Sequence, residues 1–99
     1  MILVRLVFQA KFGRAEELAA AFKSYVEPVA GQRVRMRVLT DLSGPFDTVV
    51  QELEFESFEA WQRSSAAMFS DPKAQDLMHR TSELIDSGYK EFYTIEAQT

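Results

Sequence analysis

Apolar residues alternate singly at both ends of the chain and in its middle, and recur every three or four residues in between. Single alternation is the mark of a half-buried strand and the longer recurrence that of an amphipathic helix. From Ile2 to Ala10, the residues Ile2, Val4, Leu6 and Phe8 share one face, with Leu3, Arg5, Val7 and Gln9 on the other. A helix is predicted from about Arg14 to Val29, its stripe made of Ala15, Leu18, Ala19, Phe22, Val26 and Val29. A hairpin follows from Arg33 to Glu56, turning at Ser43-Gly44-Pro45-Phe46. Ser57 then suits an N-cap, and Phe58, Trp61, Ser65, Met68 and Phe69 share a helical face. Asp71 and Pro72 open a third helix, because proline's missing N–H costs nothing in a first turn. Its stripe is Ala74, Leu77, Met78, Thr81, Leu84 and Ile85, and Gly88 is expected to end it. A last strand is expected from Tyr89 to Ala97.

Strand–helix–strand–strand–helix–helix–strand predicts an α+β fold, a ferredoxin-like two-layer sandwich with an antiparallel four-stranded sheet. It uses residues 1–99 as a single domain. Within the hairpin, Val34, Met36 and Val38 oppose Arg33, Arg35 and Arg37. Val49, Gln51, Leu53 and Phe55 oppose Thr48, Val50, Glu52, Glu54 and Glu56. If the apolar faces meet the helices, arginines and glutamates share the other face. The register that sets Arg37 beside Glu52 and Arg35 beside Glu54 is then favoured, since opposite charges across a ladder attract. Leu3, Val7, Leu39 and Val50 lie among those charges. Such a face is either solvated or packed against its own copy in a two-fold homodimer, and the second reading is preferred.

Charge and composition narrow the function. A net charge of −4 lacks the basic footprint of a nucleic-acid binder. The absence of cysteine removes disulfides, thiolate catalysis and thiolate metal sites. No stretch reaches the roughly 20 apolar residues of a membrane span, and Met1 to Phe8, with Arg5 in its middle, is too short for a signal h-region, so no signal peptide is expected. A cytoplasmic protein is expected. There is no glycine-rich phosphate loop, no nucleophile elbow and no histidine pair at metal-ligand spacing, so no metal is expected.

Two segments carry a resemblance. Glu56-Ser57-Phe58-Glu59-Ala60-Trp61-Gln62 after the third strand, and Phe69-Ser70-Asp71-Pro72-Lys73-Ala74 at the next helix, resemble the dimeric α/β-barrel superfamily. The nearest branches are the antibiotic-biosynthesis-monooxygenase-like and NIPSNAP-like domains. The resemblance implies a homodimer and a cavity between sheet and helices. Its members include cofactor-independent oxygenases of polycyclic aromatics or quinols, heme-degrading enzymes, dehydratases and isomerases, along with many proteins of no known activity. Heme-degrading relatives use an Asn, a Trp and a His, but this sequence has no Asn. Its one histidine, His79, lies about 155° from the centre of its helix's apolar stripe and should face solvent.

Trp61 is the leading ligand-binding candidate, as one wall of a pocket for a small planar aromatic or quinol-type ligand, with Phe69 on the same helical face. Gln51 joins it as an amide on an otherwise apolar strand face that needs a partner. Tyr93, with Tyr89 two residues earlier, offers a phenol to a pocket or an interface. The plainer reading of each is packing. No catalytic residue is assigned and no cofactor is expected. Three functions stay open: a cofactor-independent monooxygenase-like enzyme, a non-catalytic ligand-binding or stress-related dimeric module, and an interaction protein.

Overall fold

The computed structural model describes residues 1–25, 33 and 35–99. In chain order it holds strand β1 (Ile2–Ala10), helix α1 (Ala15–Ser24), strands β2 (Arg35–Thr40) and β3 (Thr48–Phe55), helices α2 (Phe58–Phe69) and α3 (Pro72–Ser82), and strand β4 (Ile85–Thr94). All strand pairs are antiparallel, in the order β2-β3-β1-β4. This is the ferredoxin-like two-layer sandwich that the element order predicts.

Alternation decides which side chains meet the helices. Val4, Val49 and Phe55 are fully or almost fully buried there. The interior divides into two clusters. One joins Ala10 and Val49 to Ala15, Leu18, Ala19 and Phe22 of α1 and to Leu84. Phe8 closes it against Phe22, ring centroids 5.0 Å apart. The other joins Val4, Phe55 and Ala60, with Ile2, Leu6, Leu53 and Trp61 packed around them only partly buried.

The opposite face carries the charges in the expected register. Arg37 lies across from Glu52 and Arg35 across from Glu54, with ion pairs between both. The pattern extends further than the hairpin. Arg5 on β1 pairs with Glu52 at 3.5 Å and with Glu91 on β4 at 2.8 Å. Arg37, Glu52, Arg5 and Glu91 therefore form a row of alternating sign across all four strands. Beside it runs an apolar row of Leu39, Val50, Val7 and Tyr89.

The loops are held by Asp47. Its backbone is left-handed (φ 60°), unusual for a residue with a side chain. Its carboxylate accepts from the N–H groups of Gly13 (2.8 Å) and Ala15 (3.2 Å). Arg14 at the α1 N-cap makes no side-chain cap bond, so Asp47 supplies that function from the hairpin. The other two caps are as expected. Ser57 accepts from Ala60 N–H, and Asp71 from Lys73 N–H, with Pro72 opening α3.

Several boundaries differ from expectation. Helix α1 stops at Ser24, because Tyr25 turns to extended backbone and its hydroxyl donates to Asp71 at 2.8 Å. Val26, Val29 and Val34, expected on apolar faces, lie outside the described residues. Gly88 does not end α3, which stops at Ser82 with Glu83 as C-cap. Gly88 instead lies inside β4, opposite Phe8. A Cβ there would stand 3.1 Å from the Val7 carbonyl oxygen and 3.2 Å from the Phe8 ring, so glycine makes room for the ring that seals the first cluster. Strand β4 accordingly runs from Ile85 to Thr94 rather than from Tyr89 to Ala97. Leu84 and Ile85 leave the α3 stripe yet still pack on the first cluster.

Candidate functional site

Helix α2 approaches the sheet through small residues. Ala60 and Ser64 are its buried positions, one residue away from the expected line of Trp61 and Ser65. This rotation carries the large aromatics to the edge of the contact. Phe58 stays 45% exposed and Phe69 68% exposed. Trp61 is half-buried against the second cluster.

Strand β4 meets these aromatics from below. Phe92 lies opposite Val4, on the helix-covered side. Its ring stands 4.8 Å from that of Trp61 and 5.7 Å from that of Phe58, both near edge-on. Phe58 and Trp61 are 5.3 Å apart. The three rings make a continuous wall, and Phe92 is 40% exposed. Edge-to-face contacts at these separations fix ring orientation as well as burying area. Lys90, one pleat along from Phe92, holds its ammonium 5.7 Å from the centre of the Trp61 ring.

The four residues singled out from sequence do not converge. Trp61 belongs to the wall. Gln51 stands on the same side of the sheet, paired across with Leu6 and Val38, and is half-buried. Phe69, at the far end of α2, is mostly exposed. Tyr93 pairs with Leu3 and so points to the opposite face. There its hydroxyl donates to Glu91 at 2.8 Å, and Arg5 donates to the same carboxylate. Those bonds, that of Tyr93 first, hold Glu91 below the usual carboxylate range. In return, the Glu91 carboxylate raises the Tyr93 phenol. Tyr93 thus belongs to the charged row, not to the aromatic wall.

The sequence pattern places Phe58 on the Trp61 face but does not name it as a ligand contact, and Phe92 and Lys90 are not picked out at all. Alternation along β4 separates Lys90 and Phe92 from Tyr89, Glu91 and Tyr93, but only pairing with β1 tells which set meets the helices. His79 is exposed on α3. It lines a cleft of about 580 Å³ between α1 and α3, with Glu17, Ala21 and Glu83 among its neighbours. A second cleft of about 450 Å³ lies beside it, around Tyr25, Lys73 and Arg80. Neither cleft touches the aromatic wall. Among the described residues no group of acidic or histidine side chains is placed to hold a metal ion, and no helix is long and apolar enough to cross a membrane.

No protein-family profile matches the chain, and no curated protein does. Solved structures do. An uncharacterized NIPSNAP domain protein from Burkholderia xenovorans superposes with a TM-score of 0.82 at 17% identity, over 98% of this chain and 96% of that one. Antibiotic-biosynthesis-monooxygenase-like proteins follow. The one from Nitrosomonas europaea gives 0.73 at 12% identity, over 98% and 100% of the two chains. The one from Chloroflexus aurantiacus gives 0.68 at 18% identity, over 99% and 98%. At such identities the likeness is one of fold, and that fold is shared by the NIPSNAP and antibiotic-biosynthesis-monooxygenase-like proteins.

Proposed function

We propose that this chain, which has the fold of the NIPSNAP and antibiotic-biosynthesis-monooxygenase-like proteins, binds a small planar aromatic ligand of quinol type against the wall of Phe58, Trp61 and Phe92. The observation that carries the reading is the wall itself. Three rings stand within 5.7 Å of one another and two of them are 40% or more exposed, beside the cluster of Val4, Phe55 and Ala60. A flat apolar ligand would cover these rings and exchange their hydration for stacking contacts.

The monooxygenase names of the antibiotic-biosynthesis neighbours extend the reading to oxygenation, which we take to need no cofactor. In that chemistry the ligand is its own reductant: a phenol and dioxygen give a quinone and water. One oxygen atom enters at a ring C–H carbon and the other leaves as water. The wall would supply desolvation and orientation rather than an acid or base. The competing reading, binding without turnover, is supported by the make-up of the wall: its three rings carry no acid or base, and His79 lines a cleft that none of them borders. The homodimer belongs to the same proposal. The apolar row of Leu39, Val50, Val7 and Tyr89, flanked by charges of alternating sign, is a surface that its own two-fold copy can complement.

Trp61 is the only tryptophan, so its fluorescence reports the wall. Titration with planar quinols, flavonoid-like polyphenols and heme is expected to give saturable quenching by the quinol class, and oxygen uptake on that ligand then separates enzyme from binder. No quenching by any of them contradicts the site. Sedimentation at micromolar protein should give twice the chain mass, and a persistent monomer would contradict the dimer.

A further inference from the structure

The helix-covered side of the sheet is mostly apolar, but one row across it carries an amide and, at the edge strand, the exposed ammonium of Lys90. Val38, Gln51, Leu6 and Lys90 lie side by side on β2, β3, β1 and β4. The amide and the ammonium flank Leu6. Their backbones are separated by two strand spacings, about 10 Å. Neither group has a hydrogen bond or ion pair among the described residues. The contrast with the other face is sharp, since Arg5, Arg35 and Arg37 there each have a carboxylate within 4.0 Å. In a chain of net charge −4 with acidic side chains to spare, Lys90 has, among the described residues, an aromatic ring beneath it and no carboxylate partner.

A lysine beside a half-buried wall has two things to offer a ligand. Its stem packs on the rings, and its ammonium donates to an anionic oxygen in a charge-assisted bond, stronger than one to a neutral oxygen. From this row we infer that the ligand of the aromatic wall is an anion. It is a planar aromatic bearing an ionised oxygen, either phenolate (enolate) or carboxylate, that meets Lys90 while Gln51 bonds a polar group at the far end of the ring system. The inference rests on the proposed aromatic site and adds the charge that selects its occupant. Lys90 is the specificity residue and Gln51 sets the ligand's direction along the row.

Calorimetric titration with three probes of similar shape tests it. 2-Naphthoate carries a carboxylate, 2-hydroxy-1,4-naphthoquinone an enolate at neutral pH, and 1,4-naphthoquinone no charge. At least one anion is expected to bind about tenfold or more tightly than the uncharged quinone, a margin in the range of a charge-assisted bond. The anion that wins identifies the class. Lys90→Met, which keeps the stem, is expected to remove that margin while leaving the uncharged quinone's affinity within about twofold. Raised salt should erode the margin in the parent protein. Gln51→Leu should weaken 2-hydroxy-1,4-naphthoquinone, whose C4 carbonyl gives the amide an acceptor apart from the C2 oxygen, more than 2-naphthoate, which has no second polar group. Equal binding of all three probes, or a margin that survives Lys90→Met, overturns the inference and leaves the aromatic site standing. Failure of all three to bind overturns both.

Discussion

The two apolar clusters lie on the same side of one sheet, yet one is sealed and the other is open. Around Leu18, Val49 and Phe22 the side chains are buried, and the Phe8–Phe22 contact closes them off, with Gly88 making room beneath. Around Val4 and Phe55, among the described residues, the helix layer contributes the buried Ala60, and the large rings stand at the rim. The difference comes from what each helix brings to the sheet. Helix α1 presents Leu18 and Phe22, which fill the space. Helix α2 presents Ala60 and Ser64, which do not. Filling the interior stabilises the fold, and leaving aromatics at its edge leaves them free to bind.

Truncation in each cluster should therefore have opposite signatures. Leu18→Ala removes a side chain with no exposure and is expected to cost about 3–5 kcal/mol in denaturant unfolding. That loss is a large share of a small domain's stability. Phe92→Ala removes a ring that is 40% exposed and should cost about 1 kcal/mol, while weakening ligand binding about tenfold or more. Equal costs in the two clusters would erase the distinction.

Asp47 sharpens the comparison, because it ties the hairpin to the start of α1 at the sealed end. Asp47→Ala loses both acceptors and leaves a Cβ at positive φ, so about 2 kcal/mol is expected. Asp47→Gly relieves the backbone and should cost less. Asp47→Asn, which tolerates left-handed backbone and keeps one oxygen acceptor, should cost least. A different order in thermal unfolding would mean that the carboxylate does not cap α1.

The smallest effect is expected on the charged row. Glu91 lies below the usual carboxylate value near 4.5, so its contribution is present above that value and is lost as pH falls through its lowered one. Tyr93 lies above the usual phenol value of 10.0, so its bond to Glu91 is intact below that value and is lost as pH rises through the raised one. Tyr93→Phe should therefore lower the melting temperature slightly at neutral pH. The difference should shrink at both acid and alkaline extremes. A difference that grows on acidification would contradict the assignment.

The charged face was legible before the fold was known, because a register that pairs arginine with glutamate also puts Val49, Leu53 and Phe55 on the other side, and a one-residue slip would separate the charges. The caps at Ser57 and Asp71 were legible for a similar reason: each is local, written within three residues of the helix it starts. The site was not. Trp61 and Phe69 share a helical stripe, but α2 turns so that Ala60 and Ser64 meet the sheet, and that rotation depends on packing rather than on spacing. Gly88 misled because a glycine after a helical stripe is usually a terminator, whereas here it yields space to Phe8 from another strand. Lys90 and Phe92 needed the pairing of β4 with β1, a contact between the two ends of the chain that no local pattern encodes.

The most direct test of the open cluster is a heteronuclear NMR titration of the ¹⁵N-labelled protein with 1,4-naphthohydroquinone under argon. The account predicts saturable shifts of the Trp61 indole N–H and of the Phe58, Lys90 and Phe92 amides, with Leu18 and Phe22 unmoved. Shifts confined to the α1–α3 clefts around His79 and Arg80, or none at all, would contradict it.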